Sequence, residues 1–182
     1  MHVLLFLMTF LNPMAPMNGI FEIDFGKGKG GTTWRITNDG VMGGLSKGYI
    51  EFTENSLLFS GTVSLENNGG FTSFRSPYDN FDLSNYEEVE VRIKGKGQQL
   101  ALNLYINEVW YQPYFKKELT VEGEEWQVLR IPLGDFQAYQ VGRPMGTYLG
   151  AKYKGKILGM GLITNAKKSG PFSFEVDYIR FQ

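Results

Sequence analysis

Strict two-residue alternation of apolar and polar side chains limits most sharply what this chain can fold into. Across 86–95, Val89, Val91 and Ile93 fall on one side of an extended backbone, with Glu88, Glu90, Arg92 and Lys94 on the other. Across 99–107, Leu100, Leu102, Leu104 and Ile106 share one face, and Ala101, Asn103, Tyr105 and Asn107 share a second that is polar but uncharged. Such segments are half-buried strands, dry on one face and wet on the other. Further runs of this kind start at Ile20, Thr33, Gly48, Ser56, Gly70, Trp126, Ile157 and Phe172. No window carries a helical apolar stripe with caps; at most a helical turn is expected across 133–139. About ten strands separated by Gly, Asn and Asp predict an all-β domain, a two-sheet sandwich or a barrel.

A chain of 182 residues is long enough for one core without metal or disulfide staples, and no repeat or linker divides it. The expected division is a hydrophobic segment, 1–18, and a single all-β domain, 19–182. Glycine occurs 23 times, nearly double the ordinary share of about 7%, which matches a fold made mostly of strands and turns. Basic and acidic residues number 18 and 19 for a net charge of −1, so no field draws the chain to nucleic acid. There is no cysteine, and the only histidine is His2, which removes thiolate chemistry and nearly excludes imidazole chemistry. The apolar run 3–11 is too short for a membrane span of about 20 residues and suits a secretory signal core. No Lys or Arg precedes it and no clean cleavage site follows, so export, an interfacial anchor, and a later start at Met14 or Met17 all stay open.

Motif by motif, chemistry is scarce. The run 26–32 (GKGKGGT) lacks the lysine a phosphate loop requires and reads as a turn, and Gly95–Gly97 reads as a hairpin connection. Glu22 and Asp24, and again Glu175 and Asp177, begin a glycosidase-like carboxylate pattern. Lys27 and Arg180 stand where the second glutamate is needed, so no catalytic pair is expected. Asp24 and Asp177 are instead weak candidates for a structural calcium site. The segment 134–156 has no evident structure and is either a functional loop or a mobile crossover.

Four aromatic rings surround Pro113 in 110–115 (WYQPYF). Rings beside amide side chains can stack on sugars and bond their hydroxyls, which makes Asn103, Tyr105, Asn107, Trp110 and Tyr111 a candidate sugar site. The competing reading places most of these rings in the core.

Two glycine-rich loops, 38–44 (NDGVMGG) and 64–71 (SLENNGGF), are each explicable as turns. Taken with the run 59–75 ending at Arg75 and the closing 174–181 (FEVDYIRF), they resemble the complex I intermediate-associated protein 30 family from about Ile20 to the C-terminus. The resemblance rests on Trp34, Asn38, Asp39, Gly40, Met42, Gly43, Gly44, Glu66, Asn67, Asn68, Gly69, Gly70, Phe71 and Arg75. It implies a galactose-binding-domain-like jelly roll related in architecture to carbohydrate-binding modules. For mitochondrial members it implies an assembly chaperone acting on intermediates of respiratory complex I. No Arg-rich presequence is present, so a mitochondrial setting is not expected, and an exported or membrane-associated one stands level with a cytoplasmic one. Asn38, Asp39, Met42, Glu66, Asn67, Asn68 and Arg75 are expected to form one polar patch where the loops meet, which binds a partner or ties the loops. The functional expectation is a non-enzymatic binding or assembly factor engaging a protein, with a carbohydrate-binding module as the alternative.

Overall fold

The computed structural model describes residues 19–182; the segment 1–18, with its export and anchor readings, lies outside the described residues. In chain order the strands are β1 (Phe21–Asp24), β2 (Arg35–Asn38), β3 (Lys47–Phe52), β4 (Leu57–Val63), β5 (Thr72–Arg75), β6 (Glu88–Lys96) and β7 (Leu100–Tyr105). They continue as β8 (Tyr114–Leu119), β9 (Gln127–Pro132), β10 (Gln137–Gln140), β11 (Arg143–Tyr148), β12 (Gly159–Thr164) and β13 (Gly170–Phe181). A four-residue helix, α1 (Ala151–Lys154), precedes β12. No helix among the described residues is long and apolar enough to cross a membrane.

The strands form two antiparallel sheets. One has the order β3-β4-β13-β6-β9, with β1 also on β13; the other runs β11-β10-β8-β7-β12-β5-β2. Strand β13 carries both β4 and β1 along one edge: Gly170–Val176 faces β4, and past a bulge at Asp177 the strand faces β1. The core lies between the sheets. Val89, Val91 and Ile93 face Leu100, Leu102 and Leu104 within it, all fully buried, as their alternation requires. At its centre Phe74 meets Phe25, Trp34 and Phe59 at ring separations of 5.9, 5.6 and 5.0 Å. Aromatic pairs of this kind add about 0.5–1.5 kcal/mol each beyond their burial. Trp34, one of the family-like residues, is therefore a core residue.

Two expectations are corrected, and one strand is added. The segment 134–156 is not structureless: it folds as a short 3-10 turn, the hairpin β10–β11 and α1. Strand β11 is exposed along its whole length, so nothing forces its side chains to alternate. Strand β8, absent from the expected runs, shows no alternation because Lys117, on the inward parity of Phe115 and Leu119, reaches Asp135 in the turn before β10. Gly95 lies within β6 rather than in a hairpin, and the connection after Lys96 crosses to the other sheet.

Candidate functional site

The two glycine-rich loops meet around one carboxylate. Asp39 follows β2 and is fully buried, and it accepts hydrogen bonds from four donors. These are the Ser46 hydroxyl at 2.6 Å and the amides of Ser46, Gly70 and Phe71 at 3.0, 2.7 and 3.2 Å. Burial pushes the Asp39 carboxyl up, but the four donors, the Ser46 hydroxyl foremost, outweigh it and hold the group below the usual carboxylate range. A Cβ on Gly44 would lie 2.4 Å from the carboxyl carbon, and one on Gly69 2.6 Å from Oδ2. The glycines of both motifs therefore make room for Asp39. Asn67 and Asn68 turn the chain at φ 54° and 59°, a region asparagine tolerates better than most residues.

The expected patch is only partly assembled. Asn38 is tied to the Gly48 backbone, accepting from its amide at 3.0 Å. Met42 ends the turn after Asp39, and its side chain lies outside the described set. Glu66, Asn67 and Asn68 are exposed beside the junction. Arg75 is elsewhere, at the far end of β5 from Thr72, with its guanidinium 4.9 Å from the centre of the Tyr105 ring. A strand carries a residue about 3.3 Å per step, so three steps remove Arg75 from the loops.

Arg75 instead belongs to the outer face of the seven-stranded sheet. Residues directly opposite in antiparallel strands share a face. The register therefore lines up Arg35, Arg75, Gly161, Asn103, Lys116, Gln137 and Tyr148 in one row across all seven strands. A second row holds Gly159, Tyr105, Tyr114, Tyr139 and Pro144. Six strand spacings make the longer row about 29 Å. A Cβ on Gly161 would lie 2.9 Å from Arg75 Cγ, so the glycine lets Arg75 lie across β12.

The tyrosines of the second row form a stack. Tyr105 and Tyr114 are 5.9 Å apart and tilted by 39°, and Tyr114 and Tyr139 are 6.2 Å apart at 28°. Burial, helped by the neighbouring phenols, pushes Tyr114 up to about 12. Lys116 lies 3.9 Å over the Tyr139 ring, and burial lowers its pKa. Asn103 is 3% exposed and its Nδ2 donates to the Tyr105 hydroxyl at 3.1 Å. Asn103 Oδ1 and Arg75 Nε are buried without a partner. Each such atom costs about 1–3 kcal/mol unless something completes it. Cavities of about 500 and 520 Å³ open on this face, the first bounded by Arg35, Arg75, Tyr78 and Tyr105, the second by Lys116, Gln137, Tyr139 and Tyr148.

The candidate sugar residues divide between this face and a loop. Asn103 and Tyr105 are on the face, and Asn107 is half-buried just past β7. Trp110 and Tyr111, 68% and 50% exposed, lie in the loop before β8 with rings nearly perpendicular at 86°. That angle does not make a flat platform for a sugar. Sequence reasoning missed Arg35, Lys116 and Tyr139 as members of the face, because membership follows from strand register rather than from any local motif; Tyr78 joins it from the loop after β5.

The weighed carboxylates lie on the other sheet, each held by a cation. Glu22 pairs with Arg180, Asp24 with Lys29, Glu175 with Lys94 and Asp177 with Arg92. Among the described residues no group of three or more His, Cys, Asp or Glu could hold a metal ion. Asp24 and Asp177, the calcium candidates, are thus each paired with a cation, Lys29 and Arg92.

Comparison with known proteins follows the same division between fold and site. The sequence model of the complex I intermediate-associated protein 30 family matches residues 23–176. The mouse mitochondrial protein "Complex I intermediate-associated protein 30" is 27% identical over 169 residues, covering 80% of this chain and 51% of the mouse protein. The chain thus spans about half the length of that relative, whose mitochondrial name runs against the expected setting. Among solved structures, the family 11 carbohydrate-binding module of the Clostridium thermocellum cellulase Lic26A-Cel5E superposes with a TM-score of 0.66 at 21% identity, covering 90% of this chain and 94% of the module. The Clostridium thermocellum family 11 module in complex with a β-1,3-1,4-mixed-linked tetrasaccharide gives 0.64 at 21%, with 88% and 94% covered. An agarase gives 0.61 at 13% identity, covering 91% of this chain but 24% of the agarase. These likenesses establish the fold alone, a two-sheet jelly-roll sandwich.

Proposed function

The chain belongs to the complex I intermediate-associated protein 30 family, and from that membership we propose that it is a non-enzymatic binding and assembly factor that engages a protein through the outer face of its seven-stranded sheet. The observation that carries this reading is the composition of that face: Tyr105, Tyr114 and Tyr139 stand side by side in register, and Arg75, from the neighbouring row, lays its guanidinium on the Tyr105 ring. Tyrosine and arginine are the residues that concentrate binding energy at protein interfaces, and a rigid sheet holds them without loss of backbone freedom. The class of partner implied by the family name is an assembly intermediate of a respiratory membrane complex. The Asp39 junction serves as a structural tie in this account, since its oxygen atoms are spent on four internal donors.

One observation favours a carbohydrate ligand as a second reading. Tyr114 and Tyr139 lie within 28° of parallel on the sheet face, where a sugar ring could stack.

The test is capture of the tagged protein from its host, with partners quantified for wild type, Arg75→Ala, Tyr114→Ala and Lys96→Ala. Lys96 is on the opposite sheet, exposed and paired with Glu124. A specific protein partner lost with Arg75→Ala and Tyr114→Ala but kept with Lys96→Ala is the expected result. A partner lost equally with all three, or no specific partner, refutes the assignment.

A further inference from the structure

The geometry points to a carboxylate-binding subsite between Arg35 and Arg75, which takes an acidic side chain of the bound protein segment. This rests on the protein-binding reading given above. The subsite is the cavity of about 500 Å³ walled by Arg35, Thr37, Arg75, Ser76, Tyr78 and Tyr105. No acidic side chain lines it, although the chain as a whole carries a charge of −1. The two guanidinium groups are therefore not a consequence of general basicity.

Neither arginine belongs to an ion pair among the described residues. Arg35 donates through Nη1 to the carbonyls of Thr32 and Trp34 at 3.2 and 2.9 Å, which holds the group at the cavity wall with its other donors uncommitted. Arg75 is positioned by packing rather than by an acceptor: its stem crosses Gly161 and its guanidinium lies on the Tyr105 ring. Its Nε is buried and unpartnered.

A second orphan sits two strands away in the same row. Among the described residues the Asn103 side chain bonds Tyr105 alone, so whichever way its amide is turned one polar end lacks a partner. The Tyr105 hydroxyl accepts from Asn103 and keeps its own proton to donate. A carboxylate entering here accepts from Arg75 in the forked geometry that guanidinium offers, and the ligand's own backbone amide can complete Asn103. Ser76 and Thr37 add hydroxyl donors at the rim.

The experiment titrates the full chain, labelled for NMR, with acetylated hexaglutamate, hexaglutamine and an oligogalacturonate. Hexaglutamate is expected to shift the Arg75 Nε–H and Tyr105 signals, and hexaglutamine to leave them in place. Arg75→Gln and, separately, the exposed Arg35→Gln are each expected to weaken hexaglutamate by about 10- to 100-fold, the size of a charge-assisted hydrogen bond. The Arg35 variant keeps the test valid if Arg75→Gln fails to fold. No shift with hexaglutamate, an equal response to hexaglutamine, or binding indifferent to both substitutions overturns the subsite. Preference for the oligogalacturonate overturns the peptide occupant. If hexaglutamate binds through Arg75 while capture finds no protein, the protein-binding reading fails and the anion pocket stands; the reverse pattern removes the pocket and leaves that reading.

Discussion

Replacing Asp39 by alanine removes the acceptor on which both glycine-rich loops converge. Three backbone amides, those of Ser46, Gly70 and Phe71, lose their partner at once, and the Ser46 hydroxyl keeps only the longer bond to the Ser64 carbonyl at 3.2 Å. A buried donor left unsatisfied costs about 1–3 kcal/mol, and a full sum overshoots because water can enter the vacated space and the losses are not independent. We expect a loss of roughly 3–5 kcal/mol, a large part of the 5–15 kcal/mol by which domains are usually stable. Urea denaturation measures it directly. With a slope of about 2 kcal/mol per molar, the midpoint falls by about 1.5–2.5 M without a change in slope. Asp39→Asn, which keeps one acceptor oxygen, falls less. A midpoint shift under about 0.5 M for Asp39→Ala, equivalent to about 1 kcal/mol, shows that the junction does not tie the loops and refutes the reasoning.

Other consequences can be measured independently. Because the folded Asp39 carboxyl lies below its unfolded value of about 3.9, its stabilisation is present above that value and is lost as pH falls through the lower folded one. The stability gap between wild type and Asp39→Asn, followed by urea unfolding, is therefore level at neutral pH and narrows only below about pH 4; a gap that narrows above pH 6 contradicts this. Gly161→Val places a side chain against the Phe74 carbonyl, 2.7 Å from its Cβ, and against Arg75. Calorimetry should show a Tm lowered by roughly 3–8 °C and NMR a displaced Arg75, whereas an unchanged Tm shows that the strand yields freely. At the tip of the β10–β11 hairpin, Val141 sits at φ 47°, beside Gly142 at 74°. Val141→Asn suits such a two-residue turn and should raise Tm by about 2–4 °C; a fall means that the valine is held by contacts of its own.

The parts of the fold that announce themselves in the sequence are those where burial enforces a period. Val89, Val91 and Ile93, like Leu100, Leu102 and Leu104, face an apolar layer, so a one-residue slip would expose them all. Strand β11 has no such constraint, and β8 hides its period behind Lys117. The outer faces were less legible for a related reason. Glu90 alternates like a wet residue yet is buried under its ion pairs with Arg130 and Arg180, and Ala101 and Asn103 are buried beneath their neighbours on a face expected to be open. The glycine motifs were visible as turns, but their purpose, space for one carboxylate, depends on the distance from Gly44 and Gly69 to Asp39 across two loops. Arg75 stands in the same motif run as those glycines and works elsewhere, because a strand carries it away from them. The row that unites Arg35, Arg75, Asn103 and Lys116 is a product of register, which no single segment encodes.

On this reading the seven-stranded sheet presents the binding surface through its outer face. Site-specific photo-crosslinking in the host tests it most directly, with benzoylphenylalanine replacing Tyr114 in one variant and Lys96, on the opposite sheet, in another. The account predicts a discrete crosslinked partner from position 114 and none from position 96. Crosslinking from position 96 with none from position 114 would contradict it.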